Sequence, residues 1–215
     1  MDLEKRKIVV VGAGGHARVI LSLLERLERW QIMGVLDRRS SGNGEGVDGH
    51  RIIGSWQDLG SARQRADYAV IAVGDNRQRK ALYDSFKKAA FEIPILIHPS
   101  AYVDPSATLG EGCVVCMGSL IGTDVTVGSN SIVNSGAIVD HECRLENDVH
   151  IAPGVRLAGR VAIGEGTFVG IGATVIDKIR IGRGVVVGAG SVVLSDLPDG
   201  AVAYGVPARM KQAQT

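Results

Sequence analysis

From Leu109 onward every sixth residue is aliphatic: Leu109, Val115, Ile121, Val127, Val133, Val139, Leu145, Ile151, Leu157, Ile163, Val169, Val175, Ile181, Val187 and Val193. Stepping back adds Val103 and Ile97. A second column, two positions earlier, runs from Cys113 through Ser119, Val125 and Ser131 to Ser191, and every member is small or β-branched. Side chains two apart on an extended segment share a face, so the two columns mark one inward side of short strands. The intervening "IGTD", "VGSN", "IGEG" and "IGRG" are turn-rich. Each hexad therefore predicts a short strand and a corner. Three hexads make one triangular coil of 18 residues, and stacked coils make a parallel β-helix. The period leaves the handedness open.

The first ninety residues follow a different pattern. "KRKIVVVGAGGHARVILSLLERLERW" predicts strand, glycine loop and helix, with Val19, Ile20, Leu23, Leu24 and Leu27 on the apolar face. "QIMGVLD" predicts a strand ending in Asp37, and "ADYAVIAVGDNRQRKALYDSFKKAA" a strand, a loop and a helix. "EIPILIHPS" completes a small βαβ unit leading into the repeat. The expected division is an α/β domain over 1–93 and an all-β helix with a C-terminal tail over 94–215. Parallel sheets of the first kind bind ligands at the C-terminal ends of their strands.

In "GAGGHA", Gly12, Gly14 and Ala17 match a loose dinucleotide pattern, with Asp37 twenty residues beyond Ala17. Such glycines let backbone N–H groups approach a phosphate at a helix N-terminus. The domain is half the size of a full dinucleotide fold, which favours a mononucleotide-type half-site. A purely structural glycine turn stays open.

The hexads place His141 two residues past the inward Val139, at a corner, with Glu142 beside it. A hydrogen bond from Nδ1 to that carboxylate fixes the tautomer and leaves Nε2 to take a proton, the pattern of an oriented general base. An exposed turn dipeptide gives the same two letters. His150 and Asn134 flank the inward Ile151 and Val133, so both are expected to point outward as polar contacts for a ligand. His141 and His150 lack a chelating spacing, and no metal is expected.

Composition narrows the classes. The net charge of +1 argues against nucleic acid as a partner. Lys and Arg outnumber Asp and Glu 16 to 12 over residues 1–93 and trail them 8 to 11 afterwards, a mildly basic first part that suits an anionic ligand. No apolar run is long enough for a membrane span. The charged start lacks a signal-peptide pattern, and three cysteines without paired spacing point to a reducing, cytoplasmic setting. Cys113 and Cys143 fall in the inward column as packing residues, while the role of Cys116 stays open. The coils carry no insertion and expose flat faces, and side-by-side association around a shared axis would bury those faces.

These hexads resemble the hexapeptide-repeat acyltransferases. With "GAGGHA", "GDNRQR", "LIHPSA", "NSGAIVDHE", "DVHIAPG", "LAG" and "YGVPAR", residues 5–211 look like the sialic-acid O-acetyltransferase and nucleotide-aminosugar N-acetyltransferase group, with GDP-perosamine-type enzymes foremost. The resemblance implies a homotrimer of left-handed β-helices with acetyl-CoA in the groove between neighbours. It implies His141 as base supported by Glu142, Asn134 and His150 orienting the thioester, and the Gly159 N–H as donor to its carbonyl. By the same resemblance, Ile171 and Ala189 match positions that line the CoA channel. The nucleotide-linked amino sugar lies on Gly14, Gly15, His16, Asp37, Arg38 and Gly74, with Asn76 and Arg79 nearby. The implied reaction is acetylation of the C4 amine of a nucleotide-linked 4-amino-4,6-dideoxy sugar. O-acetylation of a sialic acid and an inactive nucleotide-sugar-binding scaffold are the alternatives.

Overall fold

The computed structural model describes residues 5–38 and 46–211. The chain divides into two compact units at Pro99/Ser100, where the hydrophobic pattern placed the division at 93/94. The first unit extends past 93 because the short strand Leu96–Ile97, with Leu96 fully buried, lies against the helix over Gly15–Arg26.

The first unit is a five-stranded sheet flanked by helices. Strand β1 (Arg6–Val11) leads through the glycine loop to helix α1 (Gly15–Arg26) and strand β2 (Trp30–Asp37). A short hairpin follows, β3 (Gly46–Val47) with β4 (His50–Ser55), then helix α2 (Leu59–Arg63), strand β5 (Tyr68–Ile71) and helix α3 (Asn76–Lys88). The strand order is β3-β4-β2-β1-β5, parallel except for the β3–β4 pair. The β3–β4 hairpin has no counterpart in the predicted elements. Helix α1 buries Ala17, Ile20, Leu21, Leu23 and Leu24. Val19, expected on that face, is exposed, and Leu21 takes its place. Continuous burial of Ile8–Val11 fits a central strand covered on both faces.

The second unit is a parallel β-helix of two-residue strands. Val139 pairs in register with Ile121 on one side and Leu157 on the other, so each coil takes 18 residues. Three sheets form its faces. The first stacks strands beginning at 102, 120, 138, 156, 174 and 192, and the second those beginning at 108, 126, 144, 162 and 180. The third includes those at 114, 132, 150, 168 and 186, and ends in an antiparallel pair, Val202–Tyr204 with Arg209–Met210. From Val115 to Val193 every member of the aliphatic column is buried, as is every member of the small column from Cys113 to Ser191. The apolar interior is thus built chiefly from the two columns, and low aromatic content is what so narrow a prism requires.

Cys116 is fully buried as well, and burial pushes its thiol up to about 12. Cys143 is pushed up to about 11 by burial, and its Sγ donates to Ala158 O. All three thiols are packing groups at neutral pH.

Candidate active site

The corners of the β-helix stack into three ladders. In one, the N–H groups of Glu142, Arg160 and Lys178 donate to the carbonyls of Thr123, His141 and Gly159. In the next, Gly136, Gly154, Gly172 and Gly190 donate to Met117, Ser135, Pro153 and Ile171. Both ladders hold their second corner residue at positive φ. The second uses only glycine there, at φ 65–67° for Gly118, Gly136, Gly154 and Gly172 and 64° for Gly190. The first uses Asp124, Glu142, Arg160 and Lys178, at 57°, 57°, 62° and 62°. A side chain in that region costs roughly 1–2 kcal/mol over glycine. Four charged side chains are kept where glycine is cheaper, the kind of local strain that collects at functional sites.

His141 stands on this first ladder, half exposed. Its Nδ1 lies 3.0 Å from Glu142 Oε2. An ionised carboxylate only accepts, so Nδ1 is the donor, and in the neutral ring the lone pair stands on Nε2. The same Oε2 is 2.9 Å from Arg160 Nη2. Hydrogen bonds from Arg160 and then His141 hold the Glu142 carboxyl below its ordinary range, so it stays ionised wherever an imidazole titrates. Arg160 escaped sequence reading, although the 18-residue coil stacks position 160 directly on 142.

The imidazole lies across Gly159. A Cβ at that position would stand 2.3 Å from Nε2, 2.4 Å from Cε1 and 3.0 Å from Cδ2 of His141. Glycine is required there by the ring above it and not by a left-handed backbone. The flanking N–H groups, of Ala158 and Arg160, bond to Val175 O and His141 O.

Asn134, His150, Ile171 and Ala189 gather elsewhere. Ile171 and Ala189 lie on the glycine ladder, Asn134 immediately precedes it at Ser135, and His150 belongs to the third sheet. Asn134 Oδ1 accepts from Ser135 N at 2.8 Å, which turns its Nδ2 toward His150 Nε2 at 3.2 Å. His150 pairs with Ile132 and Phe168 on the outward side, as expected, but only 7% of it is exposed. Phe168 stands edge-on to it at 5.2 Å. His150 thus points outward as expected, with the Phe168 ring, one coil further on, leaning against it. Ile171 is 57% exposed, a large apolar side chain on a corner. Within one prism the predicted residues thus occupy two corners, with the first sheet running between them.

A cleft of about 610 Å³ opens beside Glu142 and Arg160 and is bordered by Arg144, Arg180, Lys178 and Asp124. Four cations against two carboxylates suit an anionic ligand. Arg144 and Arg180 are the outward residues of their strands in the second sheet, two rungs apart.

In the α/β unit, a cleft of about 350 Å³ is lined by Gly12, Gly14, Gly15, His16, Asp37 and Gly74, together with Trp56, Asp75 and Gln78. Gly12 has φ 115°, and a Cβ there would meet Ala72 O at 2.9 Å, so the loop closes only with glycine. Asp75 caps α3 by accepting from Gln78 N at 2.8 Å. Arg38 is exposed and Asn76 half-buried, and neither lines the cleft. Arg79, expected near the ligand, is buried next to the cleft, where its Nη1 donates to Gly74 O at 3.2 Å. It braces the loop from behind. Among the described residues no three His, Cys, Asp or Glu side chains converge on a metal position, and no helix is long and apolar enough to cross a membrane.

Two family models match the chain: the PglD N-terminal domain over residues 7–86 and the bacterial transferase hexapeptide (six repeats) over residues 160–195. A histidine-to-alanine mutant of GDP-perosamine N-acetyl transferase from Caulobacter crescentus, solved with CoA and GDP-perosamine, is 38% identical, with TM-score 0.92 over 99% of this chain and 100% of that one. The acetyltransferase domain of PglB from Neisseria gonorrhoeae, solved with acetyl coenzyme A, is 36% identical, with TM-score 0.89 over 96% of this chain and 100% of that one. UDP-N-acetylbacillosamine N-acetyltransferase of Bacillus subtilis is 36% identical over 112 residues, 51% of each chain, so the match spans about half the length of that curated relative. With an α/β unit, hexapeptide coils and near-complete overlap with solved relatives, the chain belongs to the PglD-type hexapeptide-repeat nucleotide-sugar N-acetyltransferase family.

Proposed function

We propose that this chain transfers the acetyl group of acetyl-CoA to the C4 amine of a nucleotide-linked 4-amino-4,6-dideoxy sugar, GDP-perosamine or a UDP-linked relative, without a metal. The observation that carries this reading is the His141–Glu142 pair, with Nε2 free over a residue that has no side chain. The amine nitrogen attacks the thioester carbonyl, and Nε2 of His141 takes the proton that nitrogen sheds. The Gly159 N–H donates to the oxyanion, a contact whose removal typically costs about 3–4 kcal/mol. The C–S bond then breaks, and the CoA sulfur leaves as thiolate and is protonated. No acyl-enzyme forms, because all three cysteines are buried and burial raises the thiols of Cys116 and Cys143. The solved relatives with CoA and GDP-perosamine include histidine-to-alanine and histidine-to-asparagine mutants, which is in keeping with a working histidine in this family.

The acting unit is a homotrimer of left-handed prisms. His141, Glu142 and Gly159 occupy one corner of a prism, and Asn134, His150, Ile171 and Ala189 cluster at another. A second copy beside the first brings the two sets together, with Ile171 against the acyl donor and the Asn134–His150 pair orienting the thioester. The nucleotide is held in the α/β cleft by the Gly14–Gly15 loop and His16, with Asp37 on the ribose. Gly74 completes the cleft, and Arg38 follows Asp37 outside its lining.

The test is CoA thiol release with GDP-, UDP- and dTDP-linked 4-amino sugars, and with a sialic acid as the hydroxyl acceptor. The proposal expects release with one of the amino sugars and about 10²–10⁴-fold less from His141→Asn. Near-normal turnover by a folded His141→Asn removes the base assignment. Release with sialic acid alone makes the enzyme an O-acetyltransferase, and no release with any acceptor makes the chain a binding scaffold.

A further inference from the structure

The strand order of the α/β unit lays three chemistries side by side at the C-terminal ends of its strands. The glycine loop follows β1, Asp37 ends β2, and Trp56 directly follows β4, the next strand outward. The Trp56 N–H donates to Asp37 O at 3.2 Å, which pins the backbone of one to the other. The Trp56 side chain is half-buried: it packs against the core cluster of Val11, Leu36 and Phe86, and it also lines the cleft that holds Gly14, Gly15 and Asp37. An indole fixed from behind by a core loses little entropy when a flat ring settles on its open face. If the glycine loop takes phosphate and Asp37 takes ribose hydroxyls, a base attached to that ribose lies one strand further out.

We infer that Trp56 is the platform on which the nucleobase of the sugar nucleotide stacks, so that phosphate, ribose and base run in order across β1, β2 and β4. This rests on the nucleotide reading of the cleft. A bicyclic platform suits either base class and offers the larger contact to a purine.

The test uses the full chain with GDP, UDP and ribose 5-phosphate as probes, followed by calorimetry and by tryptophan emission. The chain has two tryptophans. Trp30 is buried at the start of β2, about 23 Å of strand away from Asp37, and serves as a constant background. GDP and UDP are expected to quench emission saturably, and ribose 5-phosphate to leave it unchanged. Trp56→Leu keeps apolar bulk against the core but removes the ring, and should weaken GDP binding about 5- to 150-fold. Trp56→Phe should recover part of that loss, and KM for acetyl-CoA should not move in either variant. GDP that binds Trp56→Leu within twofold of wild type, or binds wild type without quenching, overturns the platform and leaves the nucleotide reading standing. If neither GDP nor UDP binds wild type, the nucleotide reading itself fails and the platform with it. Should Trp56→Leu fold poorly, the wild-type quench and the Trp56→Phe affinity decide.

Discussion

Replacing Gly159 with alanine adds one methyl group where the His141 ring already stands. Ordinary contact to a ring atom begins near 3.4 Å, and the methyl would lie 2.3 Å from Nε2 and 2.4 Å from Cε1. Because the Gly159 backbone is outside the left-handed region, alanine is tolerated by the main chain and the ring must yield by about 1 Å. That movement takes Nε2 off its line and strains the 3.0 Å contact between Nδ1 and Glu142. A displacement of about 1 Å at a reacting group costs on the order of 10²-fold in rate. Stability should barely change, since His141 is half exposed and swings outward into solvent without opening a cavity. The alanine keeps its N–H, so the oxyanion donor survives and the loss reports on the imidazole alone. The assay is steady-state thiol release by Gly159→Ala, His141→Ala and the double variant, with melting temperatures alongside. If the methyl acts through the ring, the double variant is no slower than His141→Ala. Gly159→Ala retaining more than half of wild-type kcat/KM, or costs that add in the double variant, refutes the steric link.

Two further outcomes follow from the electrostatics. Arg160 is the first cause of the lowered Glu142 carboxyl, so Arg160→Gln should let that carboxylate protonate closer to its ordinary range while remaining ionised at neutral pH. The Glu142 carboxyl, followed by carbon-13 NMR across an acid titration, should move up toward its ordinary range in Arg160→Gln, and less so at high salt. Arg160→Lys should leave it depressed, and a carboxyl unmoved in Arg160→Gln removes Arg160 from the site. The sign for stability is the usual carboxylate one. The folded-state value of Glu142 is depressed, so its contribution is present above the unfolded value of about 4.5 and is lost as pH falls through the lower folded value. For the thiols, Cys116 and Cys143 are raised to about 12 and about 11 and all three cysteines are buried. A disulfide reagent at pH 8 should label none in the native protein and three after unfolding, and rapid native labelling would show an open core.

How much was legible depended on whether a residue's partners are local or periodic. The hexads needed nothing beyond their spacing, because a two-residue strand with a corner has one way to face an interior, and every column member from Val115 to Val193 is buried accordingly. The His141–Glu142 bond joins neighbouring residues across a single corner, so adjacency sufficed. His150 shows where the pattern stops. Its direction was readable from Ile151, but its burial comes from Phe168, eighteen residues later, and a period says which residues stack without saying how large a ring leans over its neighbour.

The amino-acid sequence by itself determined the coil, its length of 18 residues, the inward face and the corner that carries an imidazole beside a carboxylate. Tertiary structure decided which contacts those positions make: Arg160 on Glu142, the bare Gly159 beneath the ring, Arg79 buried behind Gly74, and Trp56 brought to Asp37 by strand order. The physical reason is that periodic burial depends on residue class alone and survives any choice of aliphatic side chain. A site depends on particular atoms meeting within about 3 Å, a distance at which hydrogen bonds and steric clashes are settled only once the chain has closed on itself.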